Sequence, residues 1–212
     1  TMSINFIVPN FWAAVDMGGD LPAQAREVAK RLTAGPTTND SAARIRAAVE
    51  GQVLAQLRSA AEAGAEFLLM EVDPVGGVRT GTFLMILPLE TEDRTDPMDR
   101  LLAVASSTPD AVVLEANGLV ALRTTTVDDV STGIAQDVAA AQEEYDLDIS
   151  YVPPRTGVRR VNIQYLLGDP DSAENWRIVV GAVTSRDDAE SRELTDAIIG
   201  VCDSIIETMR LV

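Results

Sequence analysis

Asn117-Gly118 stands between two short apolar runs, Val112-Val113-Leu114-Glu115 and Leu119-Val120-Ala121-Leu122, and this arrangement restricts the fold more than any other feature of the chain. Asn and Gly tolerate the left-handed backbone of a two-residue hairpin turn, so the two runs are expected to pair as antiparallel strands. Two further pairs of runs repeat the pattern. Phe67–Val72 and Thr80–Leu89 are joined by Asp73-Pro74-Val75-Gly76-Gly77, and Val158–Leu167 and Trp176–Thr184 by Gly168-Asp169-Pro170-Asp171-Ser172. In the last pair Val161, Ile163 and Tyr165 alternate with Arg160, Asn162 and Gln164, the period of a strand with one buried face. Hairpins in place of alternating βα units predict an antiparallel sheet covered by helices, an α+β fold.

Helical periodicity fills the intervals. Asp20 ahead of Leu21-Pro22 is a capping residue followed by a first-turn proline, and Ala25, Val28 and Leu32 share one face, which predicts a helix over 21–33. Ile45, Val49, Val53, Leu57 and Ala60 predict a second over 41–63, stopped at Gly64. Asp96-Pro97 opens a third with Met98, Leu101, Leu102 and Ala105; Asp187-Asp188 opens a closing helix whose stripe is Leu194, Ile198, Val201, Ile205 and Met209. The first segment, Ile4 to Val15, is broken at Pro9-Asn10 and reads as an edge strand or two short extended pieces. Residues 128–157 read as an acidic, irregular insert with a short helix at Ile134–Glu144 and a break at Pro153-Pro154. Thr1 ahead of Met2 reads as a cloning remnant. The 212 residues are thus expected to form one α+β domain, with an antiparallel sheet of about six or seven strands under a long C-terminal helix.

Composition narrows the chemistry. There is no histidine, one cysteine (Cys202) and one lysine (Lys30), which removes Ser-His-Asp and Cys-His catalysis, histidine-ligated zinc and any internal disulfide. A formal charge of −16 opposes nucleic acid and anionic membrane surfaces, since both need a basic face. With no signal-like start and no long apolar run, the chain reads as cytoplasmic. Neighbouring acids such as Glu143-Glu144 and Asp187-Asp188 do not face each other across a substrate, and Asp169-Pro170-Asp171 lacks the glycine and late acid of a calcium loop. Gly18-Gly19 and Gly76-Gly77 lack phosphate-loop context. Cys202, set among Ile198, Val201, Ile205 and Ile206, reads as a buried thiol. No catalytic residue, metal site or cofactor is implied. The candidates for contact with a partner or ligand are Trp12, on an early edge segment, with Trp176, Arg123 and Arg160.

Phe11-Trp12, Val161-Asn162-Ile163-Gln164-Tyr165, Asn175-Trp176 and Asp203-Ser204-Ile205-Ile206-Glu207-Thr208-Met209 together resemble uncharacterised proteins of high-GC Gram-positive bacteria, some of whose relatives look like the Mog1/PsbP-like α/β fold. The resemblance implies a fold and carries no active site. A helix-grip fold is the alternative, and the helix at Asp96 speaks against it. The distinction bears on function, because a helix-grip protein encloses an apolar cavity and a Mog1/PsbP-like domain presents a surface. The expected function is a non-enzymatic interaction or accessory role, with an acidic surface suited to a basic protein partner. The alternative is a carrier for a small apolar ligand between the C-terminal helix and the sheet, near Leu84, Ile86, Ile163 and Val180. An isologous homodimer through a strand edge or the N-terminal segment is compatible with such a sheet.

Overall fold

A computed structural model of the chain describes residues 4–34, 40–74, 77–89, 96–136, 157–172 and 174–212. In chain order these form β1 (Ile4–Asn5), β2 (Trp12–Asp16), α1 (Leu21–Leu32), α2 (Asp40–Glu62), β3 (Phe67–Glu71), β4 (Phe83–Pro88), α3 (Pro97–Ser107), β5 (Val112–Ala116), β6 (Leu119–Asp129), β7 (Val158–Gly168), β8 (Arg177–Arg186), α4 (Ala189–Glu207) and β9 (Arg210–Leu211). Seven strands make one sheet in the order β2-β3-β4-β8-β7-β6-β5, and every neighbouring pair is antiparallel. The fold is therefore α+β with an antiparallel sheet, as the hairpin signals predict. No helix among the described residues is long and apolar enough to cross a membrane.

Local chemistry sets the element boundaries. The carboxylates of Asp20, Asp96 and Asp188 accept from the backbone N–H groups of Ala23, Met98 and Ser191, satisfying donors that a helix start leaves free. At the β5–β6 turn Asn117 and Gly118 both take positive φ, 50° and 86°, the backbone that a two-residue hairpin of matching twist needs. Asn117 also ties the turn to the end of α4, donating from Nδ2 to the carbonyls of Glu207 and Met209.

Alternation along the strands divides the core between two faces. On the first face Leu69, Leu84, Ile86, Ala121, Val161, Ile163, Tyr165 and Val179 pack beneath α4, which contributes Ile198, Cys202, Ile205 and Ile206. On the second face Val15 and Leu68 meet Ala25 and Val28 of α1 and Val53 and Leu57 of α2. Farther across that face, Leu101 of α3 packs on Leu122, Leu166 and Trp176. The indole of Trp176 lies so close to Gly168 that a Cβ there would sit 2.2 Å from Cδ2, so only glycine fits.

Of the stripe that predicts α2, Val53, Leu57 and Ala60 are buried and Ile45 is 52% exposed. Two expectations need correction. The insert expected from 128 starts later, because Asp128 and Asp129 extend β6 opposite Arg160 and Arg159 of β7, where opposite charges face across the ladder. Residues 131–136 are helical, and the rest of the helix expected at Ile134–Glu144, like Pro153-Pro154, lies outside the described residues. Finally, the chain runs past α4 into β9, which pairs with β1 through Ile4 opposite Leu211 and Asn5 opposite Arg210. Two residues are too few to leave a periodic signal.

Candidate functional site: a bare patch on the sheet

The strand register stacks the second face into rows. Leu87, Ile178, Leu166 and Leu122 form an apolar row across β4, β8, β7 and β6, and the core cluster beneath α3 takes Leu122, Leu166 and Ile178 from it. The next row is Met85, Val180, Gln164 and Thr124, followed by Phe83, Ala182, Asn162 and Thr126, then Thr184, Arg160 and Asp128. The face thus changes from apolar to polar along β6 and β7 within a few residues.

These polar rows line a half-open hollow of about 440 Å³ whose walls include Thr124, Thr126, Asn162, Gln164, Thr184 and Arg160. A second hollow of about 580 Å³ adjoins it between α2 and β3–β4, with Ala60, Ala63, Leu68, Met70 and Met85 among its walls. Gly81 and Phe83 line both, so the two hollows meet there, one lined mainly by apolar side chains and the other mainly by polar ones. Glu71 also borders the apolar hollow. By register, however, it lies opposite Trp12, which puts its side chain on the first face. There its Oε2 accepts from the backbone N–H and the hydroxyl of Thr80, at 3.0 and 2.6 Å.

Among the described residues Arg160 is the one basic side chain on either hollow, and it makes no ion pair with them. Its cross-strand neighbour Asp128 is already engaged, taking a 2.6 Å bond from Nδ2 of Asn162. The other arginines do not converge here. Arg177 is buried against Glu66 at 2.7 Å, Arg79 donates to the carbonyls of Val72 and Leu32, and Arg159, one residue from Arg160, belongs to the opposite face.

A separate polar cluster lies beneath α4. Arg123 pairs with Asp203, and the buried hydroxyl of Tyr165 donates to the same carboxylate at 2.8 Å, next to Cys202. Burial pushes the Cys202 thiol up to about 12 and raises Tyr165 well beyond its ordinary value. Burial likewise lifts the Asp203 carboxyl, outweighing the opposite pull of Tyr165 and Arg123. Both shifts favour the protonated thiol and phenol over the reactive anions. Lys30 is exposed beside Glu27, at 3.7 Å. Among the described residues no group of three or more acids and cysteines is placed to hold a metal ion.

The four sequence candidates therefore separate. Arg160 lies on the groove, Arg123 is committed to Asp203, and Trp176 is core beneath α3. Trp12 does sit on edge strand β2, but the residue is 2% exposed and packs in the first-face core, so it offers no indole to a partner there. Sequence reasoning missed the threonines of β6 and Thr184. The run Thr124-Thr125-Thr126 beside the polar positions of β7 was a usable signal, but the neighbour order of four strands was needed to assemble it. No family model, no curated protein and no solved structure matches this chain.

Proposed function

We propose that this chain is a non-enzymatic binding protein, an interaction or accessory factor, and that the bare rows of β6, β7 and β8 are its contact surface. One observation carries this: the second sheet face is apolar where helices cover it and turns polar and open over Thr124, Thr126, Asn162, Gln164 and Thr184, with the guanidinium of Arg160 alongside. A face kept polar in the middle of a sheet is matched to water or a ligand, not to a covering helix. Cys202 and Tyr165 are buried in the first-face core, on the other side of the sheet from the bare rows, so neither is presented to a ligand bound there. The free buried thiol suits a reducing cytoplasm. A surface-presenting domain is also what the Mog1/PsbP-like resemblance implies.

The carrier alternative has weaker support beneath α4. Leu84, Ile86 and Ile163 are fully buried in the packing there, and Val180 belongs to the opposite face. To test the proposal, Gln164→Trp and Thr126→Trp place bulk over the bare rows, both positions being exposed. Capture from native lysate is expected to retain a species with the unmodified chain and lose it with either variant. Equal retention by all three overturns the surface, and chemical conversion of a retained molecule overturns the non-enzymatic role.

A further inference from the structure

We propose, resting on the surface just described, that the groove takes a free amphipathic carboxylate, its apolar body between α2 and β3–β4 and its anionic end at Arg160. The two adjoining hollows, about 440 and 580 Å³, are each of the size that encloses a small molecule. Their linings differ in kind. Leu32, Leu68, Met70 and Met85 form apolar walls at one end, while Asn162, Gln164 and the threonines supply amide and hydroxyl groups at the other. Phe83 is common to both and bridges the change.

Charge selects the head group. Arg160 is the cation at the polar end, and a guanidinium binds a carboxylate through two parallel N–H···O contacts. Asp128 lies on β6, beyond Arg160 for anything arriving from the β3–β4 side, and its Oδ2 is occupied by Asn162. The carboxylate of Glu71, at the apolar end, faces the other side of the sheet, where Thr80 holds it. From the β3 backbone to the β7 backbone is three strand spacings, roughly 14 Å, which a medium-length acyl chain can span. With 33 acidic residues against 17 basic ones, the chain as a whole is repelled by an anionic bilayer, whereas a single small anion in the groove meets Arg160 well inside the screening length of about 8 Å.

Calorimetric titration of the full chain with decanoate, decanol and decylamine, each below its micelle-forming concentration, tests the assignment. Decanoate is expected to saturate at one per chain, with decanol and decylamine at least about tenfold weaker. Arg160→Gln should weaken decanoate by a similar factor and leave decanol unchanged. Ala63→Trp, which fills the apolar end, should weaken both. Arg160 and Ala63 are exposed, and unchanged melting temperatures of the variants confirm their folding. Absence of decanoate binding, preference for decylamine, or indifference to Arg160→Gln each overturns the ligand class. So does retention on phosphatidylglycerol vesicles without binding of free decanoate. If any of these occurs while Gln164→Trp still abolishes capture of another species, the ligand class fails and the contact surface stands.

Discussion

Cys202 shows what burial does to a reactive group. Its thiol sits in the core with a pKa pushed up to about 12, so at pH 8 the folded chain holds almost no thiolate. Labelling with a disulfide reagent at that pH is expected to be slow in buffer and complete in urea; rapid labelling of the folded chain refutes the burial. Next to it, Tyr165→Phe removes the hydroxyl that Asp203 accepts from, a bond to a charged group, and should cost about 2 kcal/mol of stability in urea unfolding. Asp203 also sets a pH dependence. Its folded pKa is raised above the ordinary 3.8, so its stabilising contribution is full below that value and is lost as pH rises through the folded one. Asp203→Asn should abolish this part of the acid-side slope, and an unchanged slope counts against it. The burial of Cys202 was legible from its isoleucine neighbours, whereas its link to Tyr165 and Arg123 depends on residues far apart in sequence that only the register brings together.

At the scale of elements, turn and cap residues carried most of the legible information. Asn117-Gly118, Asp20, Asp96 and Asp188 each occupy the role their chemistry predicts. The turn permits a direct test. Gly118→Ala forces a side chain into a left-handed backbone and should cost about 1–2 kcal/mol. Asn117→Gly keeps that backbone accessible but removes two hydrogen bonds to the end of α4, and should cost about 1 kcal/mol. Chemical unfolding distinguishes the two; equal stability of Asn117→Gly and the parent chain would show that the tie to α4 contributes nothing. Elements failed to be legible where local pattern is silent. Trp12 looks the same on an edge strand whichever face it points to, and the face is decided by its pairing with Glu71. The bare patch was only half visible, because β7 alternation and its hairpin with β8 revealed a polar face without revealing that β6 flanks it on the other side.

Across the whole molecule the two sheet edges differ. On β2 the amide of Gln24 closes over both the N–H and the carbonyl of Asp16, at 2.9 and 2.8 Å, and Arg31 donates to the carbonyl of Trp12 at 3.1 Å. Side chains from α1 thus plug groups that would otherwise recruit another strand. β5, the other edge, carries no such plug among the described residues. Among the described strands of the seven-stranded sheet, self-association through an edge then has β5 to use, and pairing of like edges closes at two. Light scattering of the parent chain is expected to show nothing larger than a dimer, and the double variant Gln24→Ala with Arg31→Ala to form larger species. A double variant that remains as small as the parent would show that these side chains do not guard the edge.

The pairing of β1 with β9 has a mechanical side. Ile4 lies opposite Leu211 in an antiparallel ladder two residues long, so a load applied at those two positions pulls on the same end of the ladder. Its bonds then break one after another, as in a zipper, instead of sharing the force as they would in shear. Under tension the chain should give way first at this junction, at low force, while the seven-stranded sheet that bears the groove stays intact.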